Sequence, residues 1–315
     1  MIKKQAEYSH SSLLLTLSSA VPVCHFGRFG KHCTCRARRV RRATQPPLPT
    51  QVTMTNETQP SPVAAFRAKM AAGDICIGAS ITLTDPHATD ALGDSVDFFW
   101  IDLEHSMMSA EALGGHFLAA KARSRPALVR VPGSGTPFIK PVLDAGADGI
   151  IVPQVRSAAE VQDVVNSCRY PPLGERGYGP RVPANYGRDG GNAYTERANR
   201  EIFVAVQIEN AEAFDALDDI LAIEGLDSIA LGPWDLSASL GLLGDVEHPT
   251  VIEAVDSIIA RTRAAGLFVG AGMAPDARFA LGMAKRGVQW LQVGDDCGYM
   301  ILAMDQITAE VRSQL

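Results

Sequence analysis

Eight short apolar runs alternate with amphipathic stretches through most of the chain, and this rhythm constrains the fold more than any other feature. The runs fall at 75–80, 97–102, 127–131, 149–153, 202–209, 228–232, 267–271 and 290–294. Helical periodicity occupies 110–123, 158–168, 211–223, 251–265 and 275–286, and a last helix follows at about 298–313. Repeated strand–helix units call for a parallel sheet covered by helices. Eight of them in about 250 residues predict a closed (β/α)₈ TIM barrel. The rival is an open doubly wound sheet, weakened by the absence of G-x-G-x-x-G after the first strand. One interval breaks the rhythm. Residues 169–201 form a Gly/Pro/Arg-rich connection before the fifth strand, expected at the barrel bottom and against a neighbouring surface or subunit.

Charge divides the chain in two. Residues 1–60 hold nine Lys/Arg against Glu7 and Glu57, a net +7, whereas the rest of the chain sums to −13. We expect a basic leader at 1–60, disordered, either a transit peptide or a start assigned upstream of Met54, and a barrel domain at 61–315. A cytoplasmic location is expected, or a mitochondrial one if the leader is a transit peptide. The apolar run 13–23 is too short and Ser-rich to span a bilayer, so no membrane partner is expected. An acidic body without a basic stripe argues against nucleic acid. The six cysteines show no disulfide framework, and Cys33 and Cys35 beside His25 and His32 lack the spacing of a zinc site.

Barrel chemistry sits at the C-terminal ends of the strands. The second run ends in Asp102-Leu103-Glu104-His105, the third at Arg130, the fifth in Gln207-Ile208-Glu209 and the sixth in Gly232-Pro233-Trp234-Asp235. Glu209 and Asp235 suit Mg²⁺, Mn²⁺ or Co²⁺. They equally suit a general acid/base pair, or caps on the helices that follow. Arg130 fits an anionic substrate, because a guanidinium grips a carboxylate or enolate through paired donors. His105 is either a general base or an idle residue at a helix start. Lysine is informative by its placement: beyond the leader only Lys69, Lys121, Lys140 and Lys285 occur, all in helical stretches. A Schiff-base mechanism therefore has no strand-end nucleophile. Asp295 and Asp296 would repel a phosphate at the eighth strand, favouring an unphosphorylated substrate.

The stretches FFWIDLEHS (98–106), LVRVP (128–132), VLDAGADGIIVPQV (142–155), RYPPLGERGYG (169–179), VQIEN (206–210) and GPWDLSASLG (232–241) resemble the HpcH/HpaI family of class II pyruvate aldolases. The likeness runs from about Gly73 to Tyr299. It implies a metal-dependent lyase of aromatic- or sugar-acid catabolism. Such an enzyme reversibly cleaves a 4-hydroxy-2-oxo acid to pyruvate and an aldehyde through a metal-stabilised enolate. The resemblance makes His105 the base, Arg130 the enolate-stabilising cation, and Glu209 and Asp235 the metal ligands. Gln207, Gly232, Trp234 and Asp235 would line the substrate, and Asp144 would raise the basicity of the histidine. It also implies a homo-oligomer, a hexamer or trimer of dimers with exchanged C-terminal helices. Trp234 and Leu103 stand where family members often carry small residues, and Tyr178 where an aliphatic one is commoner. The bulk of Trp234 is expected to reshape the aldehyde pocket. Alternatives on the same scaffold are an oxaloacetate decarboxylase, a specialised enolate-using synthase, or a sugar-phosphate isomerase or epimerase.

Overall fold

A computed structural model describes residues 60–315. The leader and its Cys/His group at 24–35 lie outside the described residues. Eight strands close into an all-parallel barrel in sequence order. They are β1 (Cys76–Ile81), β2 (Phe98–Asp102), β3 (Ala127–Arg130), β4 (Gly149–Val152), β5 (Phe203–Ile208), β6 (Ser228–Leu231), β7 (Phe268–Met273) and β8 (Trp290–Asp295). Every boundary falls within two residues of its apolar run. Strands buried on both faces read as continuous hydrophobic stretches, which is why they stand out in the sequence.

Helix α1 (Pro62–Ala71), capped by Ser61, closes the barrel floor. Its Val63, Phe66 and Met70 join Phe98, Trp100, Leu128, Phe203 and Trp290 in the inner apolar cluster. The ring of Phe66 lies 5.2 Å from that of Phe98, and the Phe98 ring meets Trp290 edge-on at 5.6 Å. Strand register makes this crowding possible. Gly78 faces Phe98 across β1–β2 and Gly270 faces Trp290 across β7–β8, and a Cβ on either glycine would fall inside the partner ring. Small residues opposite large ones fill a barrel interior at crystal-like density.

The helices packed outside are α2 (His87–Leu92), α3 (Ala110–Ala122), α4 (Thr136–Ala145), α5 (Ala158–Cys168), α6 (Asn192–Glu201), α7 (Ala211–Asp215), α8 (Leu217–Leu221), α9 (Pro233–Ser239), α10 (Pro249–Ala264) and α11 (Ala277–Arg286). Side-chain caps start several of them: Ser109 on α3, Ser157 on α5, Asn210 on α7 and Asp276 on α11. The expected helix at 211–223 is two short helices separated at Ala216. The connection at 169–201 is not irregular throughout, since it contains a 3₁₀ turn at Asn185–Gly187 and then α6. Helix α6 buries only Tyr194 and Ala198, a single i,i+4 pair in a polar decapeptide, so its periodicity is too thin to read from sequence. The last helix, α12 (Asp296–Ser313), exposes Met300, Ile301, Leu302, Met304, Ile307 and Val311. Among the described residues, no helix is long and apolar enough to cross a membrane.

Candidate active site

The mouth of the barrel gathers a compact charge network. At the end of β2, Asp102 is buried and accepts Arg130 at two points, Nε on Oδ1 at 2.9 Å and Nη2 on Oδ2 at 2.6 Å. The same Oδ1 accepts the amides of Glu104, at 3.0 Å, and of His105, at 3.4 Å. Asp102 therefore folds the segment 103–105 back over the strand end while it fixes Arg130. The remaining nitrogen of Arg130, Nη1, lies 3.1 Å from Glu104 Oε2. Below it, the guanidinium rests 5.5 Å from the Trp100 ring centroid. An Arg so placed is a rigid, desolvated cation with its plane set by a bidentate carboxylate.

His105 projects from this turn with its imidazole 68% exposed and Nε2 3.7 Å from Glu104 Oε2. It lies in the loop preceding α3 and outside the helix that Ser109 caps.

Across the mouth, Glu209 follows β5 and is 2% exposed. Its Oε1 accepts the backbone N–H of Gln154 at 2.7 Å, and its Oε2 accepts Gln207 Nε2 at 2.7 Å. Gln154 donates from a left-handed backbone, φ 56°, which is uncommon for a residue with a side chain and aims the amide inward. Gly232, after β6, sits so close that a Cβ there would fall on the Glu209 carboxylate. Burial pushes the Glu209 carboxyl up to about 7, against the Gln154 hydrogen bond and Arg130, with Asp235 and Glu104 raising it further. Burial likewise raises Glu104, opposed by Arg130 and His105 and aided by Asp102 and Asp235. Glu209 and Glu104 thus each feel the charge of Asp235 across the mouth, and Arg130 is the cation that opposes it at both. Asp235 itself is exposed in the first turn of α9.

A buried carboxylate that resists ionisation beside further carboxylates wants a cation. Glu209 and Asp235, with oxygens only, offer the hard donors that Mg²⁺ or Mn²⁺ prefers. The acids after β8 are a different matter. Asp295, Asp296 and Cys297 lie together, but Asp296 accepts the amides of Thr82 and Leu83 and the Thr82 hydroxyl, and Asp295 caps α12. Both oxygens of Asp296 and one of Asp295 are engaged in closing the fold.

The structure therefore brings His105, Arg130, Gln207, Glu209, Gly232 and Asp235 to one end of the barrel. Trp234 is there too, but its ring meets Phe279 of α11 edge-on at 5.8 Å and is 45% exposed. It lines a cleft of about 400 Å³ with Met273 and Phe279, so its bulk is spent between β6 and α11. Asp144 stands apart. It lies in the last turn of α4, at the floor end of the barrel, and pairs with Arg176 at 2.7 Å. Sequence reasoning assigned no role to Asp102, Glu104 or Gln154. The first two were visible as an alternating acidic pair before His105; the third acts through its backbone, which leaves no mark on residue type. All four body lysines lie on helices α1, α3, α4 and α11.

The HpcH/HpaI aldolase/citrate lyase family model matches residues 83–303. A hydroxypyruvate/pyruvate aldolase of Roseovarius nubinhibens is 34% identical over 256 residues, spanning 81% of this chain and 99% of the relative. A 2-keto-3-deoxy-L-rhamnonate aldolase of Escherichia coli is 37% identical over 258 residues, 79% of this chain and 93% of the relative. Among solved structures, an HpcH/HpaI aldolase/citrate lyase family protein from Burkholderia cenocepacia has a TM-score of 0.74 at 30% identity, over 79% of this chain and 99% of that one. With the barrel, the strand-end charges and these likenesses in agreement, the chain belongs to the HpcH/HpaI aldolase/citrate lyase family and is a carbon–carbon lyase.

Proposed function

We propose that this enzyme reversibly cleaves a 4-hydroxy-2-oxo acid into pyruvate and an aldehyde, through an enolate held at the barrel mouth. The observation that carries the proposal is Arg130, a largely buried cation locked by Asp102 and lying within electrostatic reach of the buried Glu209. Glu209 and Asp235 would hold a divalent cation, Mg²⁺, Mn²⁺ or Co²⁺, which when bound supplies Lewis-acid polarisation of the substrate oxygens. Arg130 presents fixed positive charge to the oxygen on which charge develops as the carbon–carbon bond breaks. His105, exposed at the rim, takes the proton from the C4 hydroxyl of the substrate. It returns it to the pyruvate methyl carbon. Gln207 holds Glu209 in place from below, and Gly232 leaves the space that Glu209 occupies. Trp234 stands at the edge of this region, next in sequence to Asp235, where an aldehyde would approach.

Assembly belongs to the same proposal. The apolar residues exposed along α12 suit burial against other copies, as a hexamer or trimer of dimers. Asp144 does not meet His105 of its own chain, since α4 carries it about 12 Å down from the helix start toward the barrel floor, where it pairs with Arg176. Its role would therefore be exerted on His105 of a second copy.

The test is pyruvate release from a panel of 4-hydroxy-2-oxo acids, with and without added divalent cation. Cation-dependent release from at least one member is expected. Full activity in chelator, or trapping of pyruvate on a lysine by borohydride, would overturn the assignment.

A further inference from the structure

Arg176 is a guanidinium shut inside the protein with one anionic partner. Its side chain has 0% exposure, lies 4.6 Å from the Tyr170 ring centroid, and donates from Nη2 to Asp144 Oδ1 at 2.7 Å. Its Nε and Nη1 find no partner among the described residues. Burying a cation this way is costly, and one ion pair with two unpaired nitrogens offsets the cost only in part. The surrounding segment is built to hold it. The Arg176 amide bonds to Arg169 O at 2.9 Å and the Glu175 amide to Asn166 O at 2.8 Å. The rings of Tyr170, Tyr178 and Tyr194 pack within 6.5 Å of one another around the turn. The Tyr178 hydroxyl accepts the amide of Gly191, tying the turn to the start of α6.

The other half of the Asp144 carboxylate is left free. Among the described residues Oδ2 accepts no hydrogen bond, and the side chain is 18% exposed. Gly179 lies beside it, and a Cβ there would stand 3.3 Å from Oδ2. Gly177 makes the same kind of room for Lys140 Nζ, one turn earlier on α4. One oxygen is thus clamped from inside while the other looks out through a window lined by glycine.

We propose that Arg176 is a positioning residue for catalysis. It fixes the Asp144 carboxylate so that Oδ2 is presented as an acceptor to the His105 imidazole of a second copy, and Gly179 keeps that approach open. The inference rests on the reading that Asp144 acts on His105 between copies. Arg176 touches no substrate, and its effect is confined to the step in which His105 moves a proton.

The test compares two reactions of the assembled, cation-saturated enzyme. Aldol cleavage needs a base, whereas oxaloacetate decarboxylation forms the enolate by losing CO₂. Asp144→Asn and Arg176→Met should each lower the ratio of cleavage to decarboxylation by about 10- to 100-fold, the range lost with supporting partners of catalytic groups. Gly179→Ala, which keeps the ion pair but crowds Oδ2, should lower it in the same direction, and Arg176→Lys should fall between wild type and Arg176→Met. The double variant R176M/D144N should be no worse than D144N. Should R176M fail to assemble by light scattering, G179A and R176K decide. Equal loss of both reactions in these variants, or no loss, while D144N stays selective would overturn the role of Arg176. The underlying reading has its own arm. Co-expressed D144N and His105→Ala chains should recover cleavage that neither shows alone. Failure of that recovery, or a D144N variant that damages both reactions alike, would remove the contact between copies itself.

Discussion

Asp102 grips Arg130 at two points and, with the same carboxylate, accepts the amide of Glu104. One side chain therefore sets both the plane of the cation and the turn from which His105 projects. Replacing it with Asn keeps the volume but removes the charge and one acceptor. Asp102→Asn should lower kcat about 10-fold or more for both aldol cleavage and oxaloacetate decarboxylation, through a loosened Arg130. Arg130→Ala should cost both reactions about 100-fold or more, because charge develops on the same oxygen in each. Steady-state kinetics of the two reactions side by side provide the check; a D102N enzyme with normal kcat would show that Arg130 holds its position unaided.

His105 should divide the two reactions. His105→Ala is expected to depress aldol cleavage by about 10²–10⁴-fold and to spare much of the decarboxylation, which starts without a base. Equal losses, with cation affinity intact, would mean that His105 does something other than move the aldol proton.

The barrel was legible because each strand is buried on both faces and announces itself as an apolar run. Strand ends then located His105, Arg130, Glu209 and Asp235 together, since parallel topology sends every C-terminal end to one side. Contacts made through the backbone were not legible. Gln154 serves Glu209 with an amide, and only its φ of 56° sets it apart from its neighbours. Orientation was hidden as well: Trp234 adjoins Asp235 in sequence, yet its ring turns to Phe279, a neighbour 45 positions away. Helix α6 escaped because one buried i,i+4 pair is too little pattern to detect.

Gly232 offers a way to disable the acidic pair without touching it. In Gly232→Ala the new methyl would displace the Glu209 carboxylate. The variant should fold, bind Mg²⁺ or Mn²⁺ at least 10-fold more weakly by titration calorimetry, as disturbed supporting shells do, and lose activity at limiting cation. Wild-type affinity in this variant would argue that Glu209 is not a ligand. For the wild type, EDTA should abolish turnover and added divalent cation restore it.

The raised carboxyl of Glu209 links folding, pH and cation. Its folded value of about 7 lies above the ordinary 4.5, so between those limits the folded chain keeps a proton that the unfolded chain has released. In chelator, the stabilising contribution of this group should be full below about 4.5 and decline as pH rises through about 7. A bound cation replaces the proton, so affinity should climb over the same interval with net proton release. Thermal unfolding at pH 5 and pH 8, with and without Mg²⁺, and calorimetry in two buffers of different ionisation heat would measure both effects. A chelated protein whose Glu209-dependent stability rises with pH would contradict the burial argument.

The seam between β1 and β8 has a consequence for how the protein is made. Cys76 pairs with Trp290 and Ile77 with Leu291, and Asp296 fastens Thr82 and Leu83 from a point more than 200 residues further along the chain. A nascent chain that has not yet released β8 from the ribosome has two open sheet edges, on β1 and β7, and a floor missing the indole that Phe66 and Phe98 pack against. Open edges and bare aromatics recruit other chains. Synthesis arrested shortly before residue 290 should therefore give aggregates in place of a smaller folded barrel, so the barrel closes only once β8 has emerged.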